Sequence, residues 1–109
     1  MDVCEKFISN AEIAYKSGKT RDAISFAKRA LKSCGEHSQI IALKIFIARC
    51  HSKIGNFAES NRVYRELLCE KIYIAPVVFG LFYNNFEKAG AEKMNLNLRL
   101  VKSCLLLPQ

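Results

Sequence analysis

The residues with the greatest potential for chemistry in this 109-residue chain are its five cysteines and two histidines. Cys50 and His51 are adjacent, and a thiol beside an imidazole suggests a nucleophile with its general base. On a helix, however, adjacent side chains point about 100° apart and do not face each other. We therefore interpret Cys50 and His51 as packing residues and expect no catalytic site.

The cysteines and histidines also lack the spacing of a metal site. No two cysteines form a C-x-x-C pair, and the two histidines are 14 residues apart, whereas zinc sites use closely spaced ligand pairs. We expect no metal, no cofactor and no small-molecule substrate. An odd number of scattered cysteines is typical of free, buried thiols in a reducing compartment, so the protein is expected to be intracellular, in the cytoplasm or nucleus. The five are Cys4, Cys34, Cys50, Cys69 and Cys104.

The formal net charge of +7 raises the question of a nucleic acid or an anionic membrane as partner. The positive charge is spread evenly along the chain and forms no tail or arm, so it predicts a solvated basic surface and argues against specific nucleic-acid binding. The most apolar stretch, 72–83, is interrupted by Pro76 and Gly80 and is shorter than the roughly 20 residues of a membrane span. We expect it to belong to the core, and we expect no membrane segment.

A short Lys-x-Gly motif occurs three times along the chain and indicates an internal repeat. A Lys stands two positions before Gly18, Gly55 and Gly90, which are 37 and 35 residues apart. Apolar residues around each glycine follow the helical period, and glycine suits a tight turn between helices. The pattern predicts three helical hairpins, with Thr20 and Ser38 as N-caps of the second and third helices. The six predicted helices are Cys4–Ser17, Thr20–Cys34, Ser38–Lys53, Ala58–Lys71, Pro76–Ala89 and Ala91–Leu106.

The first hairpin, FISNAEIAYKSGKTRDAISFAKRAL, resembles a tetratricopeptide (TPR) repeat, whose period is about 34 residues. Ala11, Ala23, Ala27 and Ala30 stand at the small-residue positions where its two helices cross, and Gly18 stands at the turn. The resemblance implies an all-α fold, a right-handed superhelix of three antiparallel helix pairs that form one domain over 1–109. The repeats span about 4–36, 38–72 and 75–108, and the third departs most from the family pattern.

The resemblance implies a non-enzymatic protein–protein interaction module, because TPR domains bind other proteins. The first helices of stacked repeats line a concave groove. Chaperone-binding TPR domains grip a terminal carboxylate with a clamp of Lys, Asn and Arg, and this clamp is absent here. The partner-binding candidates in the groove are Ile8, Glu12, Tyr15, Ile45, Arg49, Ser52 and Asn84.

Two further resemblances imply different partners. The segments FAKRAL, FIARCHSKIG and NFEKAGAEK resemble the N-terminal repeats of TPR subunits of the anaphase-promoting complex, and imply a scaffold domain that forms homodimers. The stretch RELLCEKIYIAPVVFGLFYNNFEKAG instead resembles a pentatricopeptide unit, a family that reads RNA bases with polar side chains. The matching slots are Ile8, Ile45 and Gly80, which lack a hydrogen-bonding side chain. These slots argue against RNA binding, which is therefore the alternative and not the favoured function.

The C-terminal part of the sequence predicts self-association. The fifth predicted helix is apolar around most of its circumference, and the sixth is rich in leucine with no polar cap after it. A soluble monomer rarely exposes so large an apolar patch, so either further residues of a longer chain or a second copy must cover it. We favour a homodimer with a two-fold interface. The candidate contacts are Phe79, Phe82, Phe86, Leu100 and Leu105.

Overall fold

The computed structural model describes residues 2–89, and all of its regular structure in this range is helical. The all-α class is therefore confirmed for this part of the chain. Leu100, Leu105 and the predicted sixth helix lie outside it. The chain forms two compact units, residues 1–56 and 57–109. The helices are α1 (Val3–Lys16), α2 (Thr20–Ser33), α3 (His37–Lys53), α4 (Phe57–Cys69) and α5 (Ala75–Ala89).

The N-termini of the first three helices are set partly by groups that the sequence pattern did not single out. Asp2 caps α1, and its Oδ1 accepts a hydrogen bond from the backbone N–H of Glu5 at 2.8 Å. Thr20 and Ser38 are not N-caps as predicted, because both lie inside the helices that follow. Thr20 is buried at the start of α2. Ser38 donates instead to the side chain of Glu36, at 2.9 Å.

The predicted turn glycines adopt the conformation that the turns require. Gly18 and Gly55 have φ angles of 81° and 84°, in the left-handed region that glycine tolerates best. Gly90 lies outside the described residues. The fourth helix ends at Cys69, two residues earlier than predicted, because Lys71 takes a left-handed φ of 65° and turns the chain away.

Unit 1 is built around alanines at the contact between α1 and α2. Ala11 of α1 and Ala23, Ala27 and Ala30 of α2 are at most 2 % exposed, as their predicted crossing positions require. Small side chains let the axes of two helices approach to about 8–10 Å. α2 also packs against α3, and the cluster is completed by Ala14, Ile24, Leu43, Ile47 and Cys50.

A disulfide joins the two ends of the first hairpin. Cys4 in the first turn of α1 and Cys34 just after α2 are paired, with their Cα atoms 5.5 Å apart. The expectation of five free thiols is therefore wrong for these two cysteines. The antiparallel hairpin brings together residues that are 30 positions apart in the sequence, which spacing alone does not reveal. Cys50 is free and buried as expected, whereas Cys69 is free but exposed. Cys104 lies outside the described residues.

Unit 2 contains a close contact between α4 and α5. Tyr64 of α4 is 1 % exposed, and its ring lies directly against Gly80 of α5. A Cβ atom added at Gly80 would stand only 2.7 Å from Tyr64 Cε2 and 2.5 Å from its hydroxyl oxygen. Glycine is therefore required here for space. Apolar side chains around this contact are buried, namely Val63, Leu67, Leu68, Val77 and Leu81.

The apolar stretch 72–83 is only partly core. Leu81 and Val77 are fully buried, whereas Phe79 and Tyr83 are more than half exposed. The helix therefore carries apolar residues on two opposite faces. Among the helices of residues 2–89, none combines the length and the apolar character needed to span a membrane.

Candidate functional site

A cavity of about 180 Å³ opens between α1 and α3 at the surface of unit 1. The two helices run in the same direction, because Cys4 lies beside Gln39 at one end and Tyr15 beside Lys53 at the other. Both pack on α2, and small alanines on each leave a gap between them. We call this surface the α1–α3 groove. Its lining residues are Ile8, Ala11, Glu12, Gln39, Ala42, Leu43 and Phe46.

The size and lining of the groove suit one large apolar side chain. Drug-sized ligands occupy pockets of about 300–1,000 Å³, and this cavity is smaller. An apolar cavity of roughly 150 Å³ accommodates a benzene molecule. Most of the lining is aliphatic or aromatic, and within residues 2–89 Glu12 is its only charged member. The groove can therefore bury an apolar group next to a carboxylate.

An aromatic pair closes one end of the groove. The rings of Tyr15 and Phe46 lie 5.6 Å apart, centroid to centroid, in a tilted arrangement. The ammonium nitrogen of Lys53 sits over the Tyr15 ring, 4.3 Å from its centroid. Such cation–π contacts contribute about 0.5–1 kcal/mol at exposed sites. This end of the groove therefore already accommodates one cation.

The structure brings together only part of the predicted groove set. Ile8 and Glu12 line the cavity, and Tyr15 borders it through Phe46. On α3 the predicted residues do not line the cavity: Ile45 is buried, Arg49 is exposed and Ser52 is half-buried.

The error on α3 has a simple origin in helix length. The predicted α3 residues stand 37 positions after Ile8, Glu12 and Tyr15, which is the spacing of the turn glycines. α3, however, has 17 residues, whereas α1 has 14. A spacing of 37 therefore matches the C-terminal ends of the two helices but not their N-terminal ends. Side chains that line the cavity together are instead 35 positions apart, as in Ile8 with Leu43. From Ile8 and Ala11 this spacing leads to Leu43 and Phe46, whereas it pairs Gln39 with Cys4, which does not line the cavity.

Asn84 belongs to the contact between α4 and α5 and not to an open groove. It is fully buried, and its Nδ2 donates hydrogen bonds to Ser60 Oγ at 2.7 Å and to Asn61 Oδ1 at 3.0 Å. Asn61 in turn donates to Asn85 Oδ1 at 3.3 Å, and the Asn85 amide donates to the carbonyl of Leu81. A polar cluster thus lies inside unit 2.

Cys50 and His51 have environments typical of core residues. Both are buried, with exposed fractions of 0 % and 8 %. Burial raises the pKa of the Cys50 thiol to about 11, so it stays protonated at neutral pH, whereas a nucleophilic cysteine needs a lowered pKa. Within residues 2–89, no group of His, Cys, Asp or Glu side chains is arranged to hold a metal ion.

Three aromatic residues of α5 form a second candidate surface. Phe79, Tyr83 and Phe86 are 66 %, 58 % and 60 % exposed, at a spacing of four and then three residues. We call them the α5 aromatic stripe. They lie on the side of the helix opposite the buried Val77 and Leu81, and Phe82 is half-buried between the two faces.

Comparisons of the chain with protein-family models, with curated proteins and with solved structures find no match. The function is therefore inferred from the residues and geometry of these two surfaces.

Proposed function

We propose that this chain is a non-enzymatic protein-binding module of TPR-like architecture, and that it holds a segment of a partner protein in the α1–α3 groove. The observation that carries the proposal is the cavity itself, which is open, largely apolar and formed by the first and third helices. These are the two helices that the TPR resemblance assigns to a binding groove.

Burial of an apolar side chain supplies the free energy for this function. Moving a Leu or Phe side chain fully out of water is worth about 1.5–3 kcal/mol. The walls of the groove pack on α2 within the unit's core, so little ordering of the module is needed when a ligand enters. A preformed site of this kind loses less free energy to conformational ordering than a flexible one.

Ala42 offers the most direct test, because it lines the cavity and is itself exposed. Short random peptides displayed on phage are selected on the immobilised chain, and the best binders are measured by fluorescence polarisation. We expect Ala42→Arg to weaken these peptides by about tenfold or more, since a guanidinium would fill the apolar cavity and lose hydration there.

The matched control is Ser25→Arg, which adds the same side chain at an exposed position of α2 outside the groove. This variant should bind the peptides as the parent does, and circular dichroism should show that both variants remain helical. Peptides that bind Ala42→Arg as tightly as the parent chain would contradict the proposed site.

A second function, self-association, is favoured by the α5 aromatic stripe. Its spacing of four and three residues is that of one face of a packed helix pair, so two copies of α5 can place the same stripes against each other around a two-fold axis. We propose this homodimer as the scaffold function that the resemblance to anaphase-promoting complex subunits implies.

Phe79→Glu tests the homodimer, because it places a charge in the stripe at an exposed position. We expect sedimentation equilibrium of the parent chain to show dimers, and Phe79→Glu to raise the dimer dissociation constant by about tenfold or more. Ile13→Glu is the control, since Ile13 of α1 is similarly exposed at 60 % but lies outside the stripe. A parent chain that stays monomeric at high micromolar concentration would refute the dimer.

RNA binding receives less support from the positions of its expected base-reading slots. Ile45 is buried, and Gly80 faces the ring of Tyr64, so neither presents a group to a base. Ile8 lines the cavity with an aliphatic side chain. Protein binding is therefore the function that the geometry favours.

A further inference from the structure

The charge of the α1–α3 groove is opposite in sign to that of the whole chain. The chain carries a formal net charge of +7, yet Glu12 is the only charged residue among the described residues that line the cavity. Glu5 lies two turns earlier on the same side of α1 and is also exposed. A ligand in the groove therefore meets the Glu12 carboxylate on the α1 wall.

The Glu12 carboxylate is available to a ligand. It is exposed, and in the part of the chain that the structure describes it forms no hydrogen bond or ion pair. Lys16 stands one turn later on α1 but is not bonded to it. The carboxylate borders an apolar cavity, where less water remains to screen it once a ligand has entered.

The contact between Lys53 and Tyr15 shows that a cation is compatible with the aromatic end of the groove. Lys53 places its ammonium group over the Tyr15 ring, and Tyr15 contacts Phe46 of the cavity. The Tyr15 ring near the end of α1 therefore already has a cationic partner within the chain. Glu12, one turn before Tyr15, remains as the groove's anionic group without a cationic partner of its own.

From this arrangement we infer that the groove selects a basic segment of a partner protein, in which an apolar side chain enters the cavity and a neighbouring Lys or Arg pairs with Glu12. The inference rests on the proposed protein-binding function and names the chemistry of its ligand. It runs against the long-range attraction of a +7 chain, which favours acidic partners. The charge near the groove thus favours basic segments, although the net charge of the chain favours acidic ones.

Three peptide libraries of equal length and equal apolar content test the inference. One contains Lys and Arg as its only charged residues, one contains Asp and Glu, and one is uncharged. Each is passed over the immobilised chain at about 0.15 M salt, where long-range attraction is screened beyond roughly 8 Å, and bound peptides are quantified by mass spectrometry. We expect basic peptides to be retained about fivefold more than acidic ones, the upper range for an exposed ion pair.

Variants of Glu12 identify the group responsible. Glu12→Gln should make retention of basic and acidic peptides about equal, and Glu12→Lys should reverse the preference. Asp22→Asn changes net charge by the same amount at an exposed position of α2 outside the groove, and should keep the basic preference. Acidic peptides retained as well as basic ones on the parent chain, or a preference unchanged in Glu12→Gln, would overturn the inference.

The uncharged library separates this inference from the function on which it rests. If uncharged peptides bind the parent chain but not Ala42→Arg, the groove is a binding site whatever its charge preference. If no library is retained more by the parent chain than by Ala42→Arg, protein binding in the groove fails, and the charge preference fails with it.

Discussion

Reduction of the Cys4–Cys34 disulfide is expected to lower the free energy of unfolding of the chain by about 3 kcal/mol. The bond joins residues 30 positions apart, and closing a loop of this length removes conformational entropy from the unfolded chain, worth about 3–4 kcal/mol in the loop-entropy description. The comparison is urea unfolding of the oxidised chain with and without dithiothreitol.

Cysteine variants make this result specific. Cys34→Ala should have the lower stability of the reduced chain and should not respond to dithiothreitol, whereas Cys69→Ala, which changes an exposed free cysteine, should respond as the parent does. Five titratable thiols in the denatured chain after exposure to oxidised glutathione would show that Cys4 and Cys34 do not pair. An oxidised chain as stable as the reduced one would contradict the expected contribution.

Gly80→Ala is expected to destabilise the chain by up to about 2 kcal/mol, although alanine is the better helix former. Alanine in a helix interior gains about 1 kcal/mol over glycine. The new methyl group, however, would stand within 3 Å of atoms of the buried Tyr64 ring, and overpacking of a core costs about 1–3 kcal/mol and occasionally more. The clash should therefore outweigh the gain in propensity.

A double-mutant cycle with Tyr64→Leu tests this cause. Once the ring is removed, Gly80→Ala should become neutral or stabilising by up to about 1 kcal/mol, which is the propensity gain alone. The same exchange at Gly35, where an added Cβ has no atom within 4 Å, should have little effect. Equal destabilisation by Gly80→Ala with and without the Tyr64 ring would show that the two residues are not in contact.

Helix positions in the described part of the chain could be predicted because local signals agreed with tertiary packing. The alanines of α1 and α2 have the helical period and also the size that a close crossing needs, and Gly18 has the conformation that the turn needs. N-caps were predicted less well, since Thr20 has capping chemistry but is the buried first residue of α2 and not its N-cap. The Cys4–Cys34 pair arises only from the antiparallel hairpin and has no local signal.

The site was predicted well on α1 and poorly on α3. Ile8 and Glu12 line the cavity, but transfer of the register through the turn glycines placed Ile45 in the groove and missed Gln39. The error comes from unequal helix lengths, which a repeat spacing does not encode.

α5 reverses the usual distribution of polar and apolar residues. Asn84 and Asn85 are buried inside unit 2, and both are hydrogen-bonded to Asn61. Phe79 and Phe86, in contrast, are exposed to solvent. When a helix is apolar on two faces, its sequence does not indicate which of the two faces is buried. The TPR resemblance assigns Asn84 to the groove, whereas the structure places it in the contact between α4 and α5.

Methyl NMR of the chain with a selected peptide tests the central claim most directly, because it locates the ligand without assuming a site. With Ala, Ile and Leu methyl groups labelled, the account predicts that the largest shifts occur at Ile8, Ala42 and Leu43 of the α1–α3 groove, while Leu81 in unit 2 stays unchanged. Largest shifts in α5, or a peptide that binds without perturbing the three groove methyl groups, would contradict it.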